Sequence, residues 1–214
     1  MAMTDLKYIA VEGLIKSGKT KLARILAEEF KSRLILDNQT NPFLNEYYET
    51  ISANYNPLAL KAQLIFLINR FNQQLEIKQK DLFQKTTVAN YIFYKDGIYA
   101  HTILSDEDLD IYKKILQVFS EKIVPCGLVV YLQTSFAEMI HRIHKFGSDL
   151  EKRMPSEYWR EIFEAYNYYF FNYKLSPLLV VNVEKTDFEN RREIDNLITE
   201  IKNHKKGISY YAPA

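Results

Sequence analysis

The chain has 214 residues, of which 47% are hydrophobic and 26% charged, and its formal net charge is +1. These values are typical of a globular protein, and the length suits one well-buried domain. A nearly neutral chain has no electrostatic reason to bind nucleic acid or an anionic membrane, so we expect neither partner. The one cysteine, Cys126, excludes an internal disulfide framework. No stretch approaches the roughly 18–20 apolar residues of a membrane span, and the N-terminal residues lack the apolar core of a signal peptide, so we expect a cytoplasmic protein.

Strand-like and helix-like segments alternate along the chain, which predicts an α/β fold with a parallel sheet. The strand candidates are residues 7–12, 33–36, 86–93, 128–132 and 178–183. The last two are nearly continuous apolar runs, as expected for strands that are covered on both faces. The helix candidates are residues 19–30, 42–49, 57–80, 105–121, 135–145, 156–173 and 187–204. Because no repeat or linker interrupts the pattern, we predict a single domain over residues 1–204 and a C-terminal tail over residues 205–214.

The most specific motif is GLIKSGKT, residues 13–20, which matches the pattern Gly-x4-Gly-Lys-Thr of a phosphate-binding loop. It follows the first predicted strand and precedes the first predicted helix, which is the context this loop requires. Backbone N–H groups of the loop and of the helix N-terminus hold polyphosphate oxygens in such loops. Lys19 is expected to reach the β- and γ-phosphates, and the Thr20 hydroxyl is expected to ligate Mg²⁺. The predicted nucleotide-binding residues are Gly13, Lys16, Ser17, Gly18, Lys19 and Thr20; the alternative is a coincidental strand-turn-helix.

Further segments, spread from about residue 7 to residue 200, resemble the deoxynucleoside kinase family in its bacterial branch. The most specific are NPFL followed by the QLIFLINR helix, and YIFYKD followed by a helix. The resemblance implies an α/β P-loop kinase fold, with a five-stranded parallel sheet flanked by helices, usually in a homodimer. It also implies transfer of the γ-phosphate of ATP, with Mg²⁺, to the 5′-hydroxyl of a deoxynucleoside.

The same resemblance assigns roles to individual residues. Asp37 matches the family's glutamate after the second strand, which accepts a hydrogen bond from the 5′-hydroxyl and acts as general base. Gln63 matches the family's glutamine that hydrogen-bonds the nucleobase edge, and Phe66, about one turn later on the same helix face, is placed to stack on the base or wall its pocket. Both can equally be interior residues of a long helix, and Asp37 can simply begin a turn. The predicted catalytic residues are Asp37 and Lys19, and the predicted substrate-binding residues are Gln63, Phe66, Tyr91 and, at the sugar 3′-hydroxyl, Glu151.

Several positions depart from the family's pattern. An amide, Asn90, replaces an aspartate at the end of the third strand, and Gly97 replaces an arginine expected near the 5′-hydroxyl. The lid segment after the fourth strand has Phe146 and Ser148 in place of two arginines, and Lys16 replaces a glycine in the phosphate loop. Nearby cations that can substitute for the arginines are Lys95 and Arg153.

The sequence is therefore compatible with two functions. The first is a divergent or weak deoxynucleoside kinase, and the second is a nucleotide-binding pseudokinase that acts as a regulatory or heteromeric partner. An arginine beside the transferred phosphoryl group is worth about 10³–10⁵ in rate, so its loss alone leaves a poor kinase. A nucleoside monophosphate kinase, as a third reading, also needs a basic lid, so the same missing arginines count against it.

Overall fold

The computed structural model of the chain describes residues 7–37, 41–50, 56–80, 86–211 and 213. The described strands form one parallel sheet in the order β2-β3-β1-β4-β5-β6. Their bounds are β1 Tyr8–Gly13, β2 Arg33–Ile35, β3 Thr87–Ala89, β4 Leu128–Gln133, β5 Leu178–Asn182 and β6 Ile208–Tyr211. The helices are α1 Lys19–Glu29, α2 Leu44–Glu49, α3 Ala59–Lys80, α4 Lys95–Ile103, α5 Asp106–Ser120, α6 Phe136–Phe146, α7 Asp149–Arg153, α8 Ser156–Phe171 and α9 Arg191–Asn203.

Helices cover both faces of the central strands, which explains why these strands are apolar along their whole length. Leu22 of α1 and Leu197 of α9 belong to the hydrophobic cluster on one face. Ile162 and Tyr166 of α8 belong to the cluster on the other face. With all strands parallel, their carboxyl ends share one edge of the sheet, which is where open α/β sheets bind ligands. None of the described helices is both long and apolar enough to cross a membrane.

The α/β fold with a parallel sheet is confirmed, but the sheet has one strand more than the predicted five. The extra strand, β6, lies in the segment predicted to be a tail and pairs with β5 through Leu178 and Ile208. Gly207 has a left-handed backbone (φ 71°) that turns the chain into β6. His204 fixes this turn, because its ring contacts the Gly207 carbonyl at 3.1 Å and the Ser209 hydroxyl at 3.1 Å.

The third strand is shorter than the apolar run over residues 86–93 predicts. After Ala89 the backbone leaves the sheet, and the Ile92 N–H donates to the side-chain carboxylate of Glu12 at 3.0 Å instead of to a backbone carbonyl of a neighbouring strand. Glu12 is fully buried and also accepts from the Gly13 N–H at 2.8 Å. The chain then begins α4 at Lys95, so the segment after β3 lies against the phosphate loop.

Candidate active site

The phosphate loop connects β1 to α1, and its backbone requires both of its glycines. A Cβ on Gly13 would lie 2.7 Å from the Leu132 carbonyl oxygen, and Gly18 has a φ of +97°. The Lys19 ammonium donates to the carbonyl oxygens of Gly13 at 2.7 Å and Leu14 at 2.8 Å, so it lies inside the loop. The hydroxyl of Ser17 is buried and has no hydrogen-bond partner among the described residues. The unpaired Ser17 hydroxyl and the Lys19 ammonium, in a loop whose backbone depends on glycines, fit a bound polyphosphate.

A cavity of about 480 Å³ opens in front of this loop. Its walls come from the loop, from the ends of β2 and β3, from α4 and from the end of α6. The lining residues are Ile15, Lys16, Ser17, Gly18, Lys19, Thr20, Lys21, Asp37, Asn90, Lys95, Tyr99 and Phe146. The volume is within the usual range for small-molecule sites, and the lysines suit a polyanionic ligand.

Asp37 lies in this cavity and is held by two cations. Its carboxylate accepts from Lys95 Nζ at 2.7 Å and from Arg70 Nη2 at 2.8 Å. Burial alone would raise the pKa of this carboxyl, but Lys95 and Arg70 outweigh burial and hold the pKa well below its usual range. Asp37 is therefore ionised at neutral pH, a good hydrogen-bond acceptor and a weak base.

Asn90 connects the phosphate loop to the end of β2. Its side-chain nitrogen donates to the Thr20 hydroxyl at 2.8 Å, and its side-chain oxygen accepts from the Asp37 backbone N–H at 2.6 Å. A Mg²⁺ ion bound with nucleotide phosphates commonly takes only one or two protein oxygens. The hydroxyl of the exposed Thr20 is such an oxygen, so it fits a phosphate-bound Mg²⁺, and Asn90 would orient it.

Arg70, on α3, is a site residue that the sequence reasoning missed. Its guanidinium pairs with Asp37 and also with Asp96 at the start of α4. It lies between two aromatic rings, 5.5 Å from the centroid of Phe66 and 5.3 Å from that of Tyr91. Burial alone would lower the pKa of Arg70, but Asp96 and Asp37 outweigh it and raise the pKa. The available signal is helical spacing, because Arg70 follows Phe66 by about one turn on the same face of α3.

Three buried polar atoms on α3 and α4 have no hydrogen-bond partner among the described residues. They are Gln63 Oε1, Arg70 Nε and Asp96 Oδ2. Gln63 and Asp96 are only 4% and 2% exposed. Burial raises the pKa of Asp96, although Arg70 opposes this shift. Buried polar groups are normally paired, so these three atoms are available to a ligand that reaches them, and none of the three residues lines the phosphate cavity.

Tyr91, predicted to contact substrate, is fully buried behind the Arg70 guanidinium. Its hydroxyl donates to Gln73 Oε1 at 2.5 Å, which leaves its ring face to pack against Arg70. In this structure Tyr91 packs against Arg70 and does not line the phosphate cavity, and its contact with substrate stays a prediction.

Gly97 lies away from the phosphate cavity. A Cβ built on it would face Leu116 of α5 at 3.7 Å, and Gly97 lines a different groove, between α4 and α8. An arginine at position 97 of this chain would point toward that groove and not toward Asp37. The cations beside Asp37 come instead from Lys95, two residues before Gly97, and from Arg70 on α3.

The lid segment contacts the phosphate loop through Glu151. This carboxylate pairs with Lys16 Nζ at 2.9 Å and accepts from the Ser148 N–H at 2.6 Å. Ser148 in turn accepts from the Glu151 N–H at 3.2 Å, a capping box that begins the short helix α7. Of the other lid residues, Phe146 lines the cavity, whereas Arg153 is exposed and lies outside its lining.

The fold and the loop define a P-loop nucleotide-binding protein of the α/β class. The family model for deoxynucleoside kinases matches residues 9–206, and the chain belongs to this family. A deoxyguanosine kinase of Bacillus subtilis is 30% identical over 167 residues, which cover 77% of this chain and 78% of the relative. A deoxyadenosine kinase of Lactobacillus acidophilus is 26% identical, with 92% of this chain and 99% of the relative covered. The solved structure of a deoxyadenosine kinase from M. mycoides with bound dATP superimposes with a TM-score of 0.77 at 21% identity, covering 92% of this chain and 100% of that chain.

Proposed function

We propose that this chain is a deoxynucleoside kinase that transfers the γ-phosphate of ATP to the 5′-hydroxyl of a deoxynucleoside, with Mg²⁺ as cofactor. The observation that carries the proposal is the ionised carboxylate of Asp37 in the cavity formed by the phosphate loop. Membership of the family supports the reaction class. A single domain and a cytoplasmic location, where ATP and nucleosides are found, belong to the same proposal.

In this reaction the 5′-oxygen forms a bond to the γ-phosphorus, the bond to the β–γ bridging oxygen breaks, and ADP leaves. Asp37 would accept a hydrogen bond from the 5′-hydroxyl and orient it for in-line attack. A weak base suffices, because the transition state of phosphoryl transfer is loose and the hydroxyl proton is lost late to the carboxylate. Lys19 and Lys95 would neutralise charge on the phosphoryl oxygens. Thr20 would hold Mg²⁺, which would supply further positive charge at the phosphates.

The nucleobase would lie against the Phe66 ring, with its polar edge directed toward Gln63, Arg70 and Asp96. These groups supply the unpartnered acceptors and donor described above. A site that hydrogen-bonds a base edge rejects analogues without the matching groups, since its buried polar atoms would be left unpaired. The predicted contact of Glu151 with the sugar 3′-hydroxyl stays a prediction, because this carboxylate is paired with Lys16 in the structure.

The second candidate function is a nucleotide-binding pseudokinase that regulates or assembles with an active relative. It is favoured by Asn90, an amide where the family has an aspartate, and by Phe146 and Ser148, which stand in the lid where the family has arginines. Both candidates bind nucleotide, and they differ in turnover.

The experiment that separates them incubates purified protein with Mg·ATP and each of the four deoxynucleosides and detects the monophosphate by chromatography. The kinase proposal expects a monophosphate from at least one deoxynucleoside. If calorimetry shows ATP binding but no monophosphate forms at high protein concentration, the pseudokinase is the correct function.

A homodimer is part of the proposal, and the groove between α4 and α8 is the face we assign to it. The groove has a volume of about 540 Å³ and is lined mainly by apolar and aromatic side chains. Three large side chains at or beside it are strongly exposed: Tyr168 at 76%, Phe171 at 80% and Leu175 at 63%. Contiguous exposed apolar patches mark interaction sites, and a second copy of the chain presents the same patch to this one.

We expect the double variant Tyr168→Ser/Phe171→Ser to shift the protein from dimer to monomer in sedimentation velocity at micromolar concentration. The matched control is Val118→Ser, which removes an exposed apolar side chain (54% exposed) of α5 that does not line the groove. A wild-type protein that sediments as a monomer, or a dimer that the double variant leaves intact, would contradict the assignment.

ATP binding is expected to depend on the ionisation of Lys19. Burial, assisted by the nearby charge of Lys95, lowers the pKa of Lys19 to about 8. A bound polyphosphate favours the ammonium form of Lys19 and raises its pKa. At a pH where Lys19 is neutral in the unliganded protein, ATP binding therefore takes up a proton. Affinity for Mg·ATP should therefore fall above pH 8, by up to about tenfold per pH unit.

The measurement is calorimetry at pH 8.5 in two buffers with different ionisation enthalpies, with pH 6.5 as the control condition. We expect proton uptake at pH 8.5 and much less at pH 6.5, where free Lys19 is already charged. Equal uptake at both pH values would show that Lys19 does not titrate on binding.

A further inference from the structure

Lys16 occupies an unusual position in the phosphate loop. Its backbone has a φ of 58°, a left-handed conformation that non-glycine residues rarely adopt. Its side chain lines the phosphate cavity and ends in the ion pair with Glu151 of the lid helix α7. A strained residue with a directed charged side chain is a reason to look for a function.

The other lysines of the cavity have partners within or close to the loop. Lys19 donates to loop carbonyls, Lys95 pairs with Asp37, and Lys21 pairs with Glu189. Lys16 alone among these four is paired with a group on the lid. The lid segment that carries Glu151 has Phe146 and Ser148 where the family has arginines.

We propose that Lys16 supplies from the phosphate loop the positive charge that arginines at positions 146 and 148 would supply from the lid, and that Glu151 holds it beside the cavity until the terminal phosphate of ATP replaces this carboxylate as its partner. A terminal phosphate carries more negative charge than one carboxylate, so it competes successfully for the ammonium. Glu151 keeps its hydrogen bond from the Ser148 N–H after the exchange. The inference rests on the proposed function, since it concerns the phosphate that would be transferred.

The first test compares ATP with ADP in the variant Lys16→Gly, whose glycine suits the left-handed backbone and so preserves the loop. Loss of one charge-assisted contact to the γ-phosphate should weaken ATP binding by about 10–100-fold and leave ADP binding nearly unchanged. Turnover should fall by about 10²–10³-fold with the KM for the deoxynucleoside unchanged. The conservative variant Lys16→Arg should retain both properties.

The matched control is Lys152→Ala, which removes one positive charge from an exposed position of α7 next to Glu151 and outside the cavity. This variant should behave as the wild type. If Lys16→Gly weakens ATP and ADP equally, or weakens neither, the proposed role of Lys16 is wrong.

A second variant tests the exchange with Glu151. Glu151→Gln removes the charge that competes for Lys16, while its amide oxygen still accepts from the Ser148 N–H. ATP should then bind more tightly, by about 3–10-fold, measured without nucleoside. The double variant Lys16→Gly/Glu151→Gln should bind ATP as weakly as Lys16→Gly. If instead it binds like the wild type, the effect of Lys16→Gly comes from exposing Glu151, and Lys16 does not contact the phosphate.

The binding experiments keep this inference separate from the kinase proposal. Suppose that the wild type makes no monophosphate, but that it prefers ATP to ADP and the Lys16→Gly variant does not. The kinase proposal then fails and the phosphate contact of Lys16 stands. If the wild type binds neither nucleotide, both are overturned.

Discussion

Asp37→Asn lowers the turnover number by about 10²–10⁴-fold and leaves the affinity for ATP within about twofold, since the amide cannot accept the hydroxyl proton. The carboxylate is positioned for this role by Lys95 and Arg70, which keep it charged. The amide keeps one oxygen acceptor, so the site stays assembled. The measurement is steady-state phosphorylation of the preferred deoxynucleoside, with ATP affinity from calorimetry.

The control for this prediction is Asp110→Asn, which neutralises an exposed aspartate in the middle of α5, outside the cavity. It should match the wild type in turnover and in thermal stability. A turnover number for Asp37→Asn equal to that of the wild type would mean that Asp37 only pairs with Arg70 and Lys95 and has no part in the chemistry.

Arg70→Met destabilises the protein by about 3–5 kcal/mol, the usual cost of removing one partner from a buried ion pair. Arg70 and Asp96 side chains are each only 3% exposed, so Asp96 would be left as a buried charge without its cation. The measurement is the free energy of unfolding from urea denaturation, and the same variant should raise the KM of the deoxynucleoside.

The pH dependence of this loss follows from Asp96. Burial raises the pKa of Asp96 already in the native protein, and removal of Arg70 raises it further. The folded protein then binds this proton at higher pH than the unfolded chain, so the stability of Arg70→Met increases as the pH falls toward the unfolded value of about 3.9. The deficit relative to wild type should be smaller at pH 5 than at pH 8.

The matched variant is Arg70→Met/Asp96→Asn, which removes both charges of the pair. It should recover much of the lost stability, because a neutral amide costs less to bury than a carboxylate. If the double variant is no more stable than Arg70→Met, the loss comes from the packing of Arg70 between Phe66 and Tyr91.

Much of the fold could be predicted because the determining signals are local. The apolar runs that became β4 and β5 and the glycine pattern of the phosphate loop each lie within a few residues. The cap of α5 is equally local, because Ser105 accepts from the Asp108 N–H at 3.3 Å. The sixth strand was missed because it has only four residues, none of them fully buried, and it follows two lysines and a glycine, so only pairing with β5 reveals it.

The site was harder to predict because its charges come from elements far apart in sequence. Arg70 reaches Asp37 from α3, and no spacing rule relates the two positions. The resemblance to the family predicts a cation at position 97, but in the structure Gly97 faces α5. The ion pair between Lys16 and Glu151 likewise depends on how the lid packs on the loop.

The most direct test of the kinase proposal is a single-turnover experiment with the protein in excess over γ-labelled ATP, in the presence of Mg²⁺ and a saturating deoxynucleoside. Product release does not limit such a measurement, so even a weak kinase is detected. We expect label to pass to the 5′-oxygen of the deoxynucleoside in the wild type and about 10²–10⁴-fold more slowly in Asp37→Asn. Bound ATP that stays intact in the wild type, with label absent from the deoxynucleoside, would contradict the proposed activity.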